Sequence, residues 1–311
     1  MNSGLNDAAG VFSDSEVKFI REAVDFLENP SLLMKIAAVV GKPAEFLLKG
    51  APTEVTKYTE NALRTCMDWA AGTVANTDGK QGFDAALDAS WWSAFYAKFA
   101  AGVAGAGGGF FGLPGLAVEL PLTTGIMLRS IASIGAEFGA DLSDPVVRLQ
   151  CLAIFSYGGP SAGDDAMESS FFTMKAAMAK LIKDAAKFVA GKAPAAIAAA
   201  MADGAAGVLA KLIAQIAAKF EIAVTEKFVA QSLPVIGAVS GAAINASFAG
   251  YFNSVARYQF GIWKLEQRLG EEAVESLYKA ELALLRGKTN PANLRPSTPE
   301  IAESAGVLLR D

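Results

Sequence analysis

Five acidic residues come nearest to a constellation able to do chemistry: Asp141, Asp144, Asp164, Asp165 and Glu168. Carboxylates gathered in this way can hold magnesium or divide acid and base work between them. Most of them also stand where helix caps are expected, and capping accounts for them without any reaction. A second candidate is Glu119 with Arg129, two charges isolated in an apolar stretch. A buried charge must be paired or must shift its pKa, because desolvation costs on the order of several kcal/mol. These two are expected to pair with each other, or with Arg257 and Asn245 from a second apolar block. The alternative is a polar end to an apolar pocket, suited to a lipid head group or a carboxylate. The candidate ligand-binding set is therefore Phe110, Phe111, Glu119, Arg129, Lys211, Lys219, Asn245 and Arg257. If the chain catalyses anything, a carboxylate-dependent hydrolase acting on lipid, with Glu119 at work, is the reading to test.

Most other chemistries are closed by what the chain lacks. It contains no histidine, so Ser-His-Asp and Cys-His machinery, HExxH zinc sites and histidine-ligated haem are excluded. Its two cysteines, Cys66 and Cys151, cannot make a four-ligand structural zinc site. Each lies within an apolar helical pattern and reads as an inert core residue. The glycines of 105–112 have neither a preceding strand nor a following Gly-Lys-Ser/Thr, so they make no phosphate loop. No cofactor and no metal are expected. The net charge of −5 argues against nucleic acid, which asks for a basic face.

One region departs from that acidic balance. Lys175, Lys180, Lys183, Lys187, Lys192, Lys211, Lys219 and Lys227 face only Asp184, Asp203, Glu221 and Glu226. Eight minus four leaves this stretch at +4, so the remainder of the chain carries −9. Lys211, Gln215 and Lys219 form a stripe, with Leu209, Leu212, Ile213, Ile216 and Phe220 opposite. A helix of that pattern can lie on an anionic bilayer. The same pattern also describes the solvated face of an amphipathic core helix.

The elements that must position these residues are helices. Just over half of the chain, 52%, is apolar and 19% is charged, against about 25% charged in a typical domain, so polar surface is thin. Residues 1–12 read as a flexible start with neither a basic n-region nor an apolar h-region, which predicts no signal peptide and a cytoplasmic protein. Ser13 to Glu16 is a capping box, followed by Val17, Ile20, Val24 and Leu27 on one helical face up to Pro30. Short helices are expected at 31–41 and 43–50, and a long one from Thr53 through Tyr58, Leu63, Trp69 and Val74. Phe99–Val118 has no charge but holds seven glycines and a proline, so a break is expected at Gly112–Gly115. Pro121 then stands near the start of a helix closed by Gly139. Ser143-Asp144-Pro145 opens the next, running to Gly158, and Asp164 and Asp165 open another. Residues 164–230 are expected to hold at least two alanine-rich helices, split near Gly191–Pro194. Pro234 opens the second uncharged region, Phe228–Ala256; a charged helix is expected to follow through Leu265 and Leu269, and then another at Glu271–Arg286. No useful β-alternation appears.

The two uncharged stretches exceed the about 20 residues that a membrane span needs. Their glycines, alanines and amides fit hydrocarbon poorly, so core helices, shallow insertion and spanning all remain open. Leu120-Pro121 and Leu233-Pro234 each open an apolar small-residue helix, leading to Phe138-Gly139 and Leu269-Gly270. Two related helical hairpins, or chance, would produce this echo.

Three blocks resemble the EcsC protein family: Tyr58-Thr-Glu60 with Trp69; Gly105–Gly115 continuing through Glu119–Thr124, Leu128–Ile131, Gly139–Asp141 and Asp144-Pro145; and Leu233–Ala242 with Asn245, Phe248, Ala256, Phe260, Leu265-Glu266 and Gly270. Together they span about residues 54–285 in order. The resemblance implies one helical domain, bacterial and cytoplasmic or membrane-proximal, and carries no catalytic motif to transfer. The expectation is thus an all-α protein, with a single large helical domain at 13–287, two apolar Gly/Ala-rich hairpins packed centrally, and a proline-containing tail at 288–311. It is expected to bind a phospholipid or fatty-acid-like ligand without catalysis, on the inner face of the cell membrane. The alternative is partnership with a membrane transport or secretion complex.

Overall fold

The computed structural model describes residues 12–28, 54–70, 113–157, 169–232 and 237–289. Among them the secondary structure is helical throughout: α1 Asp14–Glu28, α2 Glu54–Ala70, α3 Leu113–Glu137, α4 Pro145–Ala153 with a 3-10 turn at Ile154–Tyr157, α5 Ser170–Val189, α6 Pro194–Ala202, α7 Gly207–Ser232, α8 Gly237–Leu269 and α9 Glu271–Thr289. The all-α expectation holds. The short helices expected at 31–41 and 43–50, the aromatic run at 91–99 and the glycine-rich 99–112 lie outside the described residues.

Local signals place several helix ends as expected. Ser13 N–H donates to Glu16 Oε2 (2.8 Å), and Glu16 N–H reaches back to Ser13 Oγ (3.4 Å), completing the capping box. Asp144 accepts from Val146 N–H at 2.8 Å, with Pro145 in the first turn of α4. Two expectations need correction. Helix α3 begins at Leu113, so Pro121 lies two turns inside it. Pro114 is the proline near the start, where its missing N–H costs nothing, and packing tolerates the about 1 kcal/mol penalty of Gly115. Helix α5 begins at Ser170 with Ser169 as its N-cap, accepting from Phe172 N–H. Asp164 and Asp165 therefore do not cap this helix. The alanine-rich stretch splits at Gly191–Pro194 as expected, and Asp203 and Gly204 break it again, so that it forms three helices.

Helix α3 lies against α2 and α8, and α7 against α2, α5, α8 and the 3-10 turn. At their meeting point, Phe155, Phe220, Phe248 and Phe252 form a ring cluster with centroids 4.7–6.0 Å apart. Pairs of this kind add about 0.5–1.5 kcal/mol beyond the area they bury. Helix α1 straps across α8 and α9. Gly261 in α8 makes that approach possible, since a Cβ there would lie 2.2 Å from the Phe19 ring. The echo between α3 and α8 persists at one point: each is followed by a glycine at φ +88, Gly139 and Gly270. In that left-handed region a glycine avoids the Cβ penalty. The two helices differ in length, 25 against 33 residues.

Candidate functional site

The lysine-rich region folds as α5, α6 and α7 in succession, and most of its lysines lie on the outside. In α5, the spacing of Phe171, Met178, Ile182, Ala185 and Val189 turns these side chains into the core, leaving Lys180, Lys183 and Lys187 exposed. In α7, Leu209, Leu212, Ile213, Ile216 and Phe220 are buried, and Lys211, Ala214, Gln215 and Ala218 are exposed. Lys219 is only half-exposed. Eight residues make more than two turns of an α-helix, so Lys219 stands rotated by about 80° from Lys211, toward the core. None of Lys180, Lys183, Lys187 and Lys211 lies within salt-bridge distance of a carboxylate among the described residues.

Lys227 corrects the picture of a wholly solvated lysine series. It is fully buried, with Nζ 5.0 Å from the centroid of the Phe248 ring. The sequence held the signal: Ile213, Ile216, Phe220, Val224 and Lys227 recur at three- and four-residue spacing, so Lys227 continues the inward stripe.

The other expected residues, where described, are divided between α3 and α8. Phe110 and Phe111 lie outside the described residues. Glu119 is in α3 and Asn245 in α8. Arg129 and Arg257 are exposed on α3 and α8, so the expectation of Arg129 as a charge buried in an apolar surround gives way to one at the surface. The acids that could have made a metal or acid–base site do cap turns where described. Asp141 accepts from Ser143 N–H at 2.8 Å, and its bonds to Ser143 hold its carboxyl below the ordinary range. Asp164, Asp165 and Glu168 lie outside the described residues, and among those described no acidic or thiol group is arranged to hold a metal. Burial pushes the Cys151 thiol up to about 12, leaving it protonated and inert.

Sequence reasoning missed a set of internal polar ties. Glu28, at the end of α1, accepts at Oε1 from Ser169 Oγ (2.6 Å), Phe171 N–H (3.3 Å) and the Tyr278 hydroxyl (3.1 Å). Its Oε2 accepts from Ser170 N–H (3.1 Å) and Ser170 Oγ (2.9 Å). One carboxylate thereby caps α5 from another helix, where the dipole favours negative charge. Burial, then the Glu28 charge, push the Tyr278 phenol well above its ordinary value. Arg21 grips the buried Glu281 through two bonds, at 2.8 and 3.0 Å. Lys175 pairs with Glu266, which is buried on α8. Burial raises the Glu266 carboxyl above its ordinary range against the pull of Lys175. Only Ser169, as a cap type ahead of Phe171-Phe172, carried a local signal. The rest are pairings between helices far apart in the chain.

The family model described as the EcsC protein family matches residues 43–262. That range takes in α2 through α7 and most of α8, and leaves α1 and α9 outside. No curated protein and no solved structure matches the chain.

Proposed function

The chain belongs to the EcsC protein family, and from that premise we propose that it is a non-enzymatic protein of anionic lipid surfaces, bound peripherally at the cytoplasmic face of a membrane. The observation that carries the reading is the division of faces in α5 and α7. Their apolar sides are used inside the protein, and their outward sides bear Lys180, Lys183, Lys187 and Lys211. Helices committed in this way meet a bilayer with their cations. A lysine near an anionic leaflet gains about 1 kcal/mol. Four acting together supply about 4 kcal/mol, roughly a thousandfold in partition. The attraction fades beyond a Debye length, about 8 Å at physiological salt.

Insertion of whole helices has less support. Among the described residues no single helix is long and apolar enough to cross a membrane. Residues 195–202 with 207–225, bent by 73°, pass on length and composition together. The longer member of that pair has its apolar face in the core, so spanning would require the core to open.

Co-sedimentation of the full chain tests the reading, using phosphatidylglycerol mixed into phosphatidylcholine vesicles against phosphatidylcholine alone. Binding is expected only to the anionic vesicles and weakens as salt rises. Replacing Lys211 and Lys219 together by glutamate is expected to lower it about fivefold or more. Binding indifferent to lipid charge and salt would sink the electrostatic reading. A stoichiometric complex with a membrane protein that survives detergent would move the function to that partner.

A further inference from the structure

Between the two lysine-bearing helices sits one that breaks the rule for a solvent-facing surface. Helix α6 exposes Ala195, Ala196, Ala199 and Ala202, a stripe at i, i+1, i+4 and i+7, while Ile197 is fully buried. From Ala193 to Ala202 there is no charged residue and no side-chain hydrogen-bonding group. Its N-cap, Ala193, makes no side-chain cap bond, whereas α4 and α5 are capped by Asp144 and Ser169. An outward helix face in a globular protein ordinarily carries charged and polar side chains. Here the helix rests on alanine's high helix propensity and presents methyl groups to the outside.

The two ends of this apolar elbow are cationic. Lys187 lies in the last turn of α5, and Lys192 stands two residues before Pro194. Lys192 Nζ bonds to the carbonyl of Phe188 and lies 4.3 Å from its ring centroid, yet the residue remains exposed. Lys211 follows the start of α7 by four residues, about 6 Å along the helix axis. Asp203 accepts from Ala205 N–H at 2.9 Å and closes the turn between α6 and α7.

Resting on the lipid reading above, we propose that α6 is the point of contact, an elbow that lies in the interface of an anionic bilayer while Lys187, Lys192 and Lys211 hold lipid phosphates on either side of it. Alanine gains little from hydrocarbon, so the methyl stripe does not drive binding. It allows the lysines close approach, because no side chain of α6 carries a polar group to be desolvated. Charge complementarity commits the surface to anionic lipid rather than to an apolar protein groove.

The full chain is compared with Ala199→Leu and Ala199→Glu in co-sedimentation with phosphatidylglycerol/phosphatidylcholine vesicles. Ala199 is exposed, and both replacements suit a helix, so helical content and melting temperature are expected to stay at the parent value. Leucine is expected to raise the partition about fivefold or more, from the transfer of added methylenes. Glutamate is expected to lower it by at least as much. If both variants bind like the parent while Lys211→Glu with Lys219→Glu still weakens binding, the elbow is overturned and the lipid reading stands. If the parent itself ignores anionic vesicles, both fall together.

Discussion

Two regions of this molecule use the same residue types to opposite ends. Where α1 straps across α8 and α9, several charges close on partners: Glu28 takes five donors, Arg21 holds Glu281, and Arg268 meets Glu16. At the corner of α5, α6 and α7, Lys180, Lys183, Lys187 and Lys211 stand outside with no carboxylate within salt-bridge distance among the described residues. The difference separates charge spent on the fold from charge held available to something else. It also runs along the family boundary, since α1 and α9 lie outside the matched residues and the lysine corner lies within them.

The largest effect that would break the contrast is expected at Glu28. Glu28→Ala strips the acceptor from Ser169, Ser170 and Tyr278 at once. Bonds to a charged group contribute about 1.5–3 kcal/mol each and do not simply add, so a loss of about 3 kcal/mol is expected in urea unfolding. Vesicle partition should stay unchanged. A destabilisation below about 1 kcal/mol would mean that the Glu28 bonds add little to the hold on α1.

Gly261→Ala comes next. The added methyl meets the Phe19 ring, and overpacking costs about 1–3 kcal/mol. Faster amide exchange in α1 than in α7 is the expected local readout. Equal exchange would show that the ring moves aside without loosening the helix.

Glu266 gives a pH-dependent test. Its folded pKa lies above the ordinary 4.5, with burial as the first cause. A carboxyl raised on folding favours the fold while protonated. Its contribution is full below the unfolded pKa and is lost as pH rises through the folded one. Glu266→Gln removes that loss, so the stability of the parent should decline relative to the variant from pH 4.5 upward. Parallel curves across that range would show that Lys175 offsets the burial in full.

The smallest stability effect is expected outside. Lys180→Glu with Lys183→Glu should change unfolding by no more than about 0.5 kcal/mol, yet lower partition onto anionic vesicles several-fold. A substantial loss of stability there would erase the contrast between the two regions.

Several features were legible before the fold. The capping box at Ser13 and Glu16, the Asp144-Pro145 start, the Gly139 stop and the inward stripe of α7 are local signals, decided within one or two helical turns. The acidic residues read as caps are caps where described, at Asp141 and Asp144. Less was legible about the candidate site. The lysine excess appeared in the composition, but Lys211-Gln215-Lys219 looked like a straight stripe and curves inward at Lys219. Lys227 looked like another surface cation and is buried. The bareness of α6 was hidden within a generally alanine-rich stretch.

By itself the sequence determined the helical class, the absence of histidine chemistry, the family and most helix ends described here, because each depends on residue identity or on spacing within a single turn. Only the tertiary structure decided which charges are spent. Glu28 and Ser169 are 141 residues apart in the chain, Arg21 and Glu281 are 260 apart, and nothing in either neighbourhood encodes the meeting. Whether a lysine faces water or a phenylalanine ring depends on which side of its helix another helix covers. That is a property of packing between distant segments, and it is what leaves the α5–α7 corner open and the α1 strap closed.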